Sequence, residues 1–146
     1  MRIKISDYSF YADIPKALVL AFVSDLHDCR NEPVLAQVEK INPDAVLVGG
    51  DFIHNWKQYE RGLEFLSESS KRARTLVSIG NHDRHLGKSI SAKVRECGAQ
   101  LLDNSHISFG GITIGGLSSG YGYGPHKREK ITPKPETEWL EKFEKQ

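Results

Sequence analysis

The chain has 146 residues, a length typical of one domain that buries most of its apolar surface in a single core. Its 20 basic and 19 acidic residues are intermixed, which argues against a surface built for duplex nucleic acid or an anionic membrane. Two distant cysteines, Cys29 and Cys97, indicate neither a zinc finger nor a disulfide framework. We find no signal peptide and no apolar stretch near the ~20 residues that span a bilayer, so we expect a cytoplasmic protein with one domain, residues 1–146.

Strands and helices are predicted to alternate through the first two thirds of the chain. Loose alternation of apolar residues over 1–11 fits a short edge strand or hairpin. Three apolar runs predict strands buried on both faces, and these are residues 18–24, 45–48 and 75–79. Helical spacing predicts three helices, which begin near Asn31, Tyr59 and Ile90. The repeated order of strand and helix predicts an α/β fold with a parallel sheet and right-handed crossovers.

Shorter segments follow in the last third. Strands at close spacing are predicted at residues 100–102, 107–109 and 112–114. The glycine-rich stretch 118–124 fits either a substrate loop or a plain mobile loop. The basic residues Lys127, Arg128 and Lys130 fit a phosphate contact or a solvated face. A last helix is predicted from Pro135 onward.

Polar residues follow three of the predicted strands at the point where each strand ends. They are Asp25 and His27, then Asp51, and then Asn81, His82 and Asp83. Because ligands gather at the carboxyl ends of strands in open α/β sheets, these side chains are expected to share one edge. Asp25 and His27, as alternate residues of an extended segment, are expected to point to the same side. Each cluster alone also fits a plain turn, but the three together favour a shared metal site.

The order Asp-x-His, Gly-Asp and Gly-Asn-His-Asp closely resembles the first half of the calcineurin-like metallophosphoesterases, in a branch of bacterial phosphodiesterases. The resemblance covers about residues 14–117. It implies metallophosphoesterase-like layers, a two-sheet α/β sandwich with outer helices. It also implies a phosphate-ester substrate, a phosphomonoester or phosphodiester, hydrolysed at a centre of two divalent metal ions (Mn, Fe or Zn).

The same resemblance implies a set of metal ligands. Asp25 and His27 would bind the first metal, Asp51 would bridge both metals and Asn81 would bind the second. The chemistry of these residue types agrees, because two divalent ions ~3.5–4 Å apart can bind a phosphate and activate water near neutral pH. Mixed oxygen and imidazole ligands suit Mn, Fe or Zn better than a thiolate-selective metal.

The resemblance also implies two catalytic residues. His82 would face the substrate phosphate and protonate or stabilise the leaving oxygen, and Asp83 would orient the His82 ring. No role is assigned to His54, which stands where the family often has a second Asp. His85 fits the rim of a pocket or a solvated loop, and His126 matches none of the family's motifs.

The sequence departs from the family pattern in its last part. The family supplies further histidine ligands there, one on a later strand and two in a Gly-His-x-His motif, and neither follows Leu117. The expectation is therefore a truncated sandwich with an uncovered sheet face through which the chain could self-associate. The rival hypothesis is a non-catalytic fragment of such an enzyme that binds a metal or a phosphate.

Overall fold

The computed structural model describes residues 3–118 and 141–143, and the fold is given for those residues. A parallel sheet contains β1 (Leu20–Val23), β2 (Ala45–Val48), β3 (Arg74–Val77) and β4 (Gln100–Leu101). The connecting helices are α1 (Glu32–Ile41), α2 (Glu60–Ser70) and α3 (Ile90–Glu96), and a 3₁₀ helix, Asp83–Ser89, precedes α3. An antiparallel pair follows, β5 (Ser105–Phe109) and β6 (Ile112–Gly116). The predicted α/β fold is confirmed, and within these ranges no helix is long and apolar enough to cross a membrane.

The parallel strands lie in the order β1-β2-β3-β4, so each strand pairs with the next one along the chain. With right-handed crossovers, this order puts α1, α2 and α3 on the same face of the sheet. Contacts between α1 and α2 and between α2 and α3 agree with a single helical layer. The carboxyl ends of the first three strands therefore lie side by side at one edge.

The hydrophobic core lies between the sheet and this helical layer. The sheet contributes Val46, Val48 and Val77, all at most 2% exposed. Each helix contributes at least one side chain that is buried as completely, and these are Val38, Phe65 and Val94. Burial of each such side chain contributes about 1.5–3 kcal/mol, so the helical spacing of apolar residues is what fixes the helices against the sheet.

The side chain of Asn31 connects the first two helices. Although it immediately precedes α1, its side chain does not cap that helix. Its Nδ2 instead donates hydrogen bonds to the backbone oxygen of Arg61, at 2.6 Å, and to the carboxylate of Glu64, at 3.3 Å. The start of α1 is therefore fixed to α2.

β1 is an edge strand, and the prediction that it is buried on both faces is wrong. Ala21 packs on the helix side, whereas Phe22 on the opposite face is 69% exposed. Across the sheet, Phe22 pairs with Leu47 and Leu47 with Leu76. These three residues and Ile114 of β6 line a shallow pocket of about 80 Å³. The antiparallel pair thus covers only part of this face, and self-association through the remainder stays a prediction.

Two other expectations about strands need correction. Residues 3–11 form no strand or hairpin. The segment at 100–102 does not turn back on its neighbours, because β4 pairs in parallel with β3. The later pair does form the expected tight turn, with Gly110 and Gly111 at φ values of 58° and 91°. Residues 141–143 are helical, while the rest of the last predicted helix, the stretch 119–124, His126 and the basic residues lie outside the described residues.

Candidate metal centre

Two glycines let the turns after β2 and β3 meet backbone to backbone. Gly50 has a φ of 95°, in the left-handed region that favours glycine. A Cβ atom added to Gly50 would lie 2.5 Å from the backbone nitrogen of Gly80. A Cβ atom on Gly80 would overlap the carboxylate of Asp51. Gly80 itself is not left-handed, so glycine is required there by the close approach to Asp51.

Asp83 joins the same two turns from inside the protein. Its side chain is fully buried, and its Oδ2 accepts hydrogen bonds from the backbone nitrogens of Asp51, at 2.7 Å, and Gly80, at 2.8 Å. Its Oδ1 accepts a third from the backbone nitrogen of Ile53, at 3.2 Å. The expectation that Asp83 orients the His82 ring is wrong, because this carboxylate binds backbone amides. Burial raises the pKa of Asp83 to about 6, an effect that the three amide donors only partly offset.

The loop after β1 is not extended, which corrects the reason given for placing Asp25 beside His27. Asp25, His27 and Asp28 all have left-handed φ values, of 56°, 47° and 57°. Their amides donate to the neighbouring loop in order, to Gly50 O at 3.1 Å, Asp51 O at 2.9 Å and Phe52 O at 3.2 Å. Leu26 is 6% exposed and packs in the core. The loop is therefore held by its neighbour's backbone on one side and by Leu26 on the other.

The structure brings Asp25, His27 and Asp51 together. One oxygen or nitrogen atom from each lies within 4.8 Å of the other two. Asp25 and His27 have side chains that are 67% and 37% exposed, so this part of the site is open to solvent. Asp51 is half-buried, and its Oδ1 accepts a hydrogen bond from the backbone nitrogen of His82 at 2.8 Å. Asn81 is half-buried in the same turn, directly before His82.

Three imidazole rings form a second group that shares His27 with the first. One nitrogen each from His27, His54 and His82 lies within 4.8 Å of the other two. The ring centroid of His82 is 4.5 Å from that of His27 and 5.4 Å from that of His54. The sequence alone assigned His54 no role. Its position three residues after Asp51, at the end of a predicted strand, was the available signal.

Hydrogen bonding fixes which nitrogen of His82 carries a proton. Its Nδ1 lies 2.6 Å from the backbone oxygen of His54. Because a carbonyl oxygen only accepts hydrogen bonds, Nδ1 is the protonated donor, and Nε2 is left for a substrate or an ion. His85 is exposed, and its ring centroid lies 6.2 Å from that of His82, at the rim of the group.

The donor atoms fit a divalent first-row metal. Asp25 and Asp51 offer carboxylate oxygens, Asn81 an amide oxygen and His27 an imidazole nitrogen, a mixed set that suits Mn, Fe or Zn. In the part of the chain that the structure describes, Nδ1 of His27 is buried and has no hydrogen-bond partner. Its Nε2 lies 3.7 Å from Oδ1 of Asp25, so Nε2 is the ring nitrogen that faces this carboxylate and is available to an ion.

Comparison with known proteins agrees with the motifs. The family model of the calcineurin-like phosphoesterases matches residues 18–145. No curated protein matches the chain. A solved structure, that of AQ665, a protein of unknown function from Aquifex aeolicus, is similar in fold, with a TM-score of 0.51. It is 19% identical, over 87% of this chain and 73% of that chain, and a likeness at this identity concerns the fold alone. Because the family model spans most of the length of this protein, the chain belongs to the calcineurin-like phosphoesterase family.

Proposed function

We propose that the protein is a metal-dependent phosphoesterase that hydrolyses phosphomonoesters or phosphodiesters at a dinuclear centre. The observation that carries this proposal is the convergence of Asp25, His27 and Asp51 at the carboxyl edge of the sheet. Asn81 and His82 lie in the adjoining turn, and the backbone nitrogen of His82 donates a hydrogen bond to the carboxylate of Asp51. Family membership supports the general class of activity, and the ligand arrangement supports the dinuclear centre.

Each proposed ligand would bind one or both of the ions. Asp25 and His27 would hold one ion, Asn81 the other, and Asp51 would bridge them; Mn, Fe and Zn all suit these donors. When bound, the ions supply positive charge for the phosphate and Lewis acidity that activates water. Asp51 needs little rearrangement for this part, because Asp83 holds its backbone nitrogen and the His82 amide holds its carboxylate.

His82 is the proposed proton donor to the leaving oxygen. The hydrogen bond from its Nδ1 to His54 O fixes the ring and leaves Nε2 to hold or transfer a proton. Its backbone nitrogen is bonded to Asp51, so the imidazole stays beside the bridging ligand. General acid catalysis of this kind typically contributes 10²–10⁴-fold to the rate. Asp83 acts as a positioning residue, because its carboxylate accepts hydrogen bonds from the backbone amides of the turns.

The surroundings of the site bear on the substrate and the compartment. Because Asp25 is 67% exposed, an ester could bind there with its leaving group in solvent. Substrate specificity depends on the loops around such a site more than on the fold. Cys29 and Cys97 are free thiols, which suits the reducing cytoplasm that we propose as the location.

The test is metal content and turnover measured on the same purified protein. The metal-free chain is reconstituted with Mn²⁺, ions per chain are counted, and p-nitrophenyl phosphate and bis-p-nitrophenyl phosphate are assayed. We expect about two ions per chain and turnover that Asp51→Asn lowers at least ~100-fold, since the bridging charge is lost. Asp103→Asn, an exposed carboxylate between β4 and β5, is the matched control and should change neither value.

Two outcomes would contradict the proposal. Turnover that Asp51→Asn leaves unchanged would show that hydrolysis does not depend on this centre. Ions bound without hydrolysis of either ester would favour the rival function, a non-catalytic metal-binding protein.

A further inference from the structure

We propose that His27, His54 and His82 form a second metal site, which binds one Zn²⁺-like ion through three imidazole nitrogens. This inference goes beyond the phosphoesterase proposal, in which His54 binds no ion. The two sites share His27, and the second also contains His82, the proposed proton donor. An ion held by the three histidines would therefore compete with the dinuclear centre and inhibit it.

The spacing of the three rings is close to that of a metal site. Their nitrogens lie within 4.8 Å of one another. An ion at the centre of a triangle of this size would lie at most about 2.8 Å from each nitrogen, whereas Zn–N bonds are about 2.0–2.1 Å. Each nitrogen would have to move by at most about 0.7 Å, which small rotations of the side chains can supply. His54 is exposed, so the core does not restrain its ring.

The hydrogen bonding of His82 is that of a metal ligand. A ligating histidine almost always donates its other ring N–H to a carboxylate or a backbone carbonyl, which fixes the tautomer and the direction of the lone pair. Nδ1 of His82 donates to the backbone oxygen of His54 in this way. His54 thus supplies one ligand of the group with its side chain and orients another with its backbone.

The backbone of His54 is itself held in a tight turn. Its nitrogen donates to the oxygen of Gln58 at 2.9 Å. The side-chain oxygen of Asn55 accepts hydrogen bonds from the backbone nitrogens of Lys57, at 2.8 Å, and Gln58, at 3.1 Å. The carbonyl that orients His82 therefore has a fixed position before any ion binds.

The chemistry of the donors decides which ion takes which site. Three neutral imidazoles suit Zn²⁺, Ni²⁺ or Cu²⁺, which rank above Mn²⁺ in affinity for nitrogen ligands. Asp25 and Asp51 supply the charged oxygens that Mn²⁺ prefers, and both lie outside the histidine group. We therefore expect Mn²⁺ to bind the carboxylate set and Zn²⁺ to bind the histidine set.

The experiment measures binding without any substrate. The metal-free full chain is titrated with Zn²⁺ against a chromophoric chelator, and with Co²⁺ while its visible absorption is recorded. His54→Gln should weaken Zn²⁺ binding at least ~10-fold and reduce the absorption of tetrahedral Co²⁺, because one of three ligands is lost. His106→Gln, the replacement of an exposed histidine on β5, should change the Zn²⁺ affinity by no more than about twofold. Circular dichroism of each variant checks that the fold is retained.

Two results would overturn the histidine site. One is an unchanged Zn²⁺ affinity in His54→Gln. The other is a loss in Asp25→Asn as large as that in His54→Gln, which would put the ion among the carboxylates. Failure of the phosphoesterase proposal is separable, since it is measured as Mn²⁺-dependent turnover. If the chain hydrolyses neither ester but binds Zn²⁺ through His54, the histidine site is supported and the phosphoesterase proposal is refuted.

Discussion

Asp51 and Asp25 belong to the same proposed metal centre, but their surroundings differ. Asp51 is half-buried, with its backbone bonded to Asp83 and its carboxylate bonded to the amide of His82. Asp25 is 67% exposed, and its carboxylate lies 3.7 Å from the His27 ring. The Asp51 side of the centre is thus fixed before an ion binds, whereas the side chain of Asp25 can still adjust its position.

This difference separates stability from ligand binding. On the fixed side, the groups that position the ligand also satisfy buried backbone amides, so a substitution there should affect both folding and ion binding. On the open side, water replaces whatever a substitution removes, and only ion binding should suffer. Four measurements test this division, in order of decreasing expected effect.

The largest effect is expected from Asp83→Ala. The substitution leaves three buried amides, those of Asp51, Ile53 and Gly80, without an acceptor. Each costs about 1–3 kcal/mol, so we expect the free energy of unfolding to fall by about 3 kcal/mol or more in urea. Asp103→Ala, at an exposed position, should change it by less than about 0.5 kcal/mol. Equal changes in the free energy of unfolding for Asp83→Ala and Asp103→Ala would show that Asp83 does not hold the Asp51 side of the centre in place.

The second effect concerns pH, measured on the ion-free protein in the presence of a chelator. Because the pKa of Asp83 is raised from 3.8 to about 6, its contribution to stability is complete below about pH 4. As the pH rises to 6 the unfolded chain loses this proton and the folded chain keeps it, so the free energy of unfolding should fall by up to about 3 kcal/mol. Asp83→Asn cannot titrate and should lack this fall, whereas Asp103→Asn should retain it. Identical pH profiles for wild type and Asp83→Asn would refute the assignment.

The third test is Gly80→Ala, which pushes a methyl group into the Asp51 carboxylate. Displacing Asp51, the proposed bridging ligand, should weaken Mn²⁺ binding about 10–100-fold, the usual cost of disturbing a ligand's support. Ser108→Ala is the control, because this residue is exposed on β5 and lies outside the ligand set. Calorimetric titration that gives the same Mn²⁺ affinity for both variants would mean that Asp51 is not held by this close approach.

The smallest effect on stability is expected from Asp25→Asn. Because this side chain is exposed, the free energy of unfolding of the ion-free protein should change by less than about 0.5 kcal/mol. Mn²⁺ binding should nevertheless weaken, since a charged ligand is lost. A loss of stability above about 1 kcal/mol in urea would erase the distinction between the two sides of the centre.

Much of this arrangement is predictable from the sequence, because it depends on local patterns. The helical spacing of Val34, Leu35 and Val38 predicts α1, and the apolar run 45–48 predicts β2. A parallel sheet then brings the residues that follow its strands to one edge, whatever the details of the loops. For this reason Asp25 and Asp51 lie together even though the conformation expected for the first loop was wrong.

The features that the sequence did not reveal depend on distant parts of the chain. Asp83 accepts hydrogen bonds from residues about 30 positions earlier, and its place in Gly-Asn-His-Asp gives no sign of them. The run that forms β1 is as apolar as that of β2, but among the described residues no element covers its outer face at Phe22. His54 was visible in the sequence, yet its approach to His82 depends on the turn that Asn55 stabilises.

The hydrogen bonds between the loop after β1 and the loop after β2 have a consequence for hydrogen exchange. The amides of Asp25, His27 and Asp28 sit in a loop at the surface, yet each donates to a carbonyl of residues 50–52. Their protons can exchange with solvent only when the two loops separate, which is also the motion that would take Asp25 and His27 away from Asp51. Slow exchange at these three positions would therefore measure how rarely the centre opens, and a bound ion would slow it further.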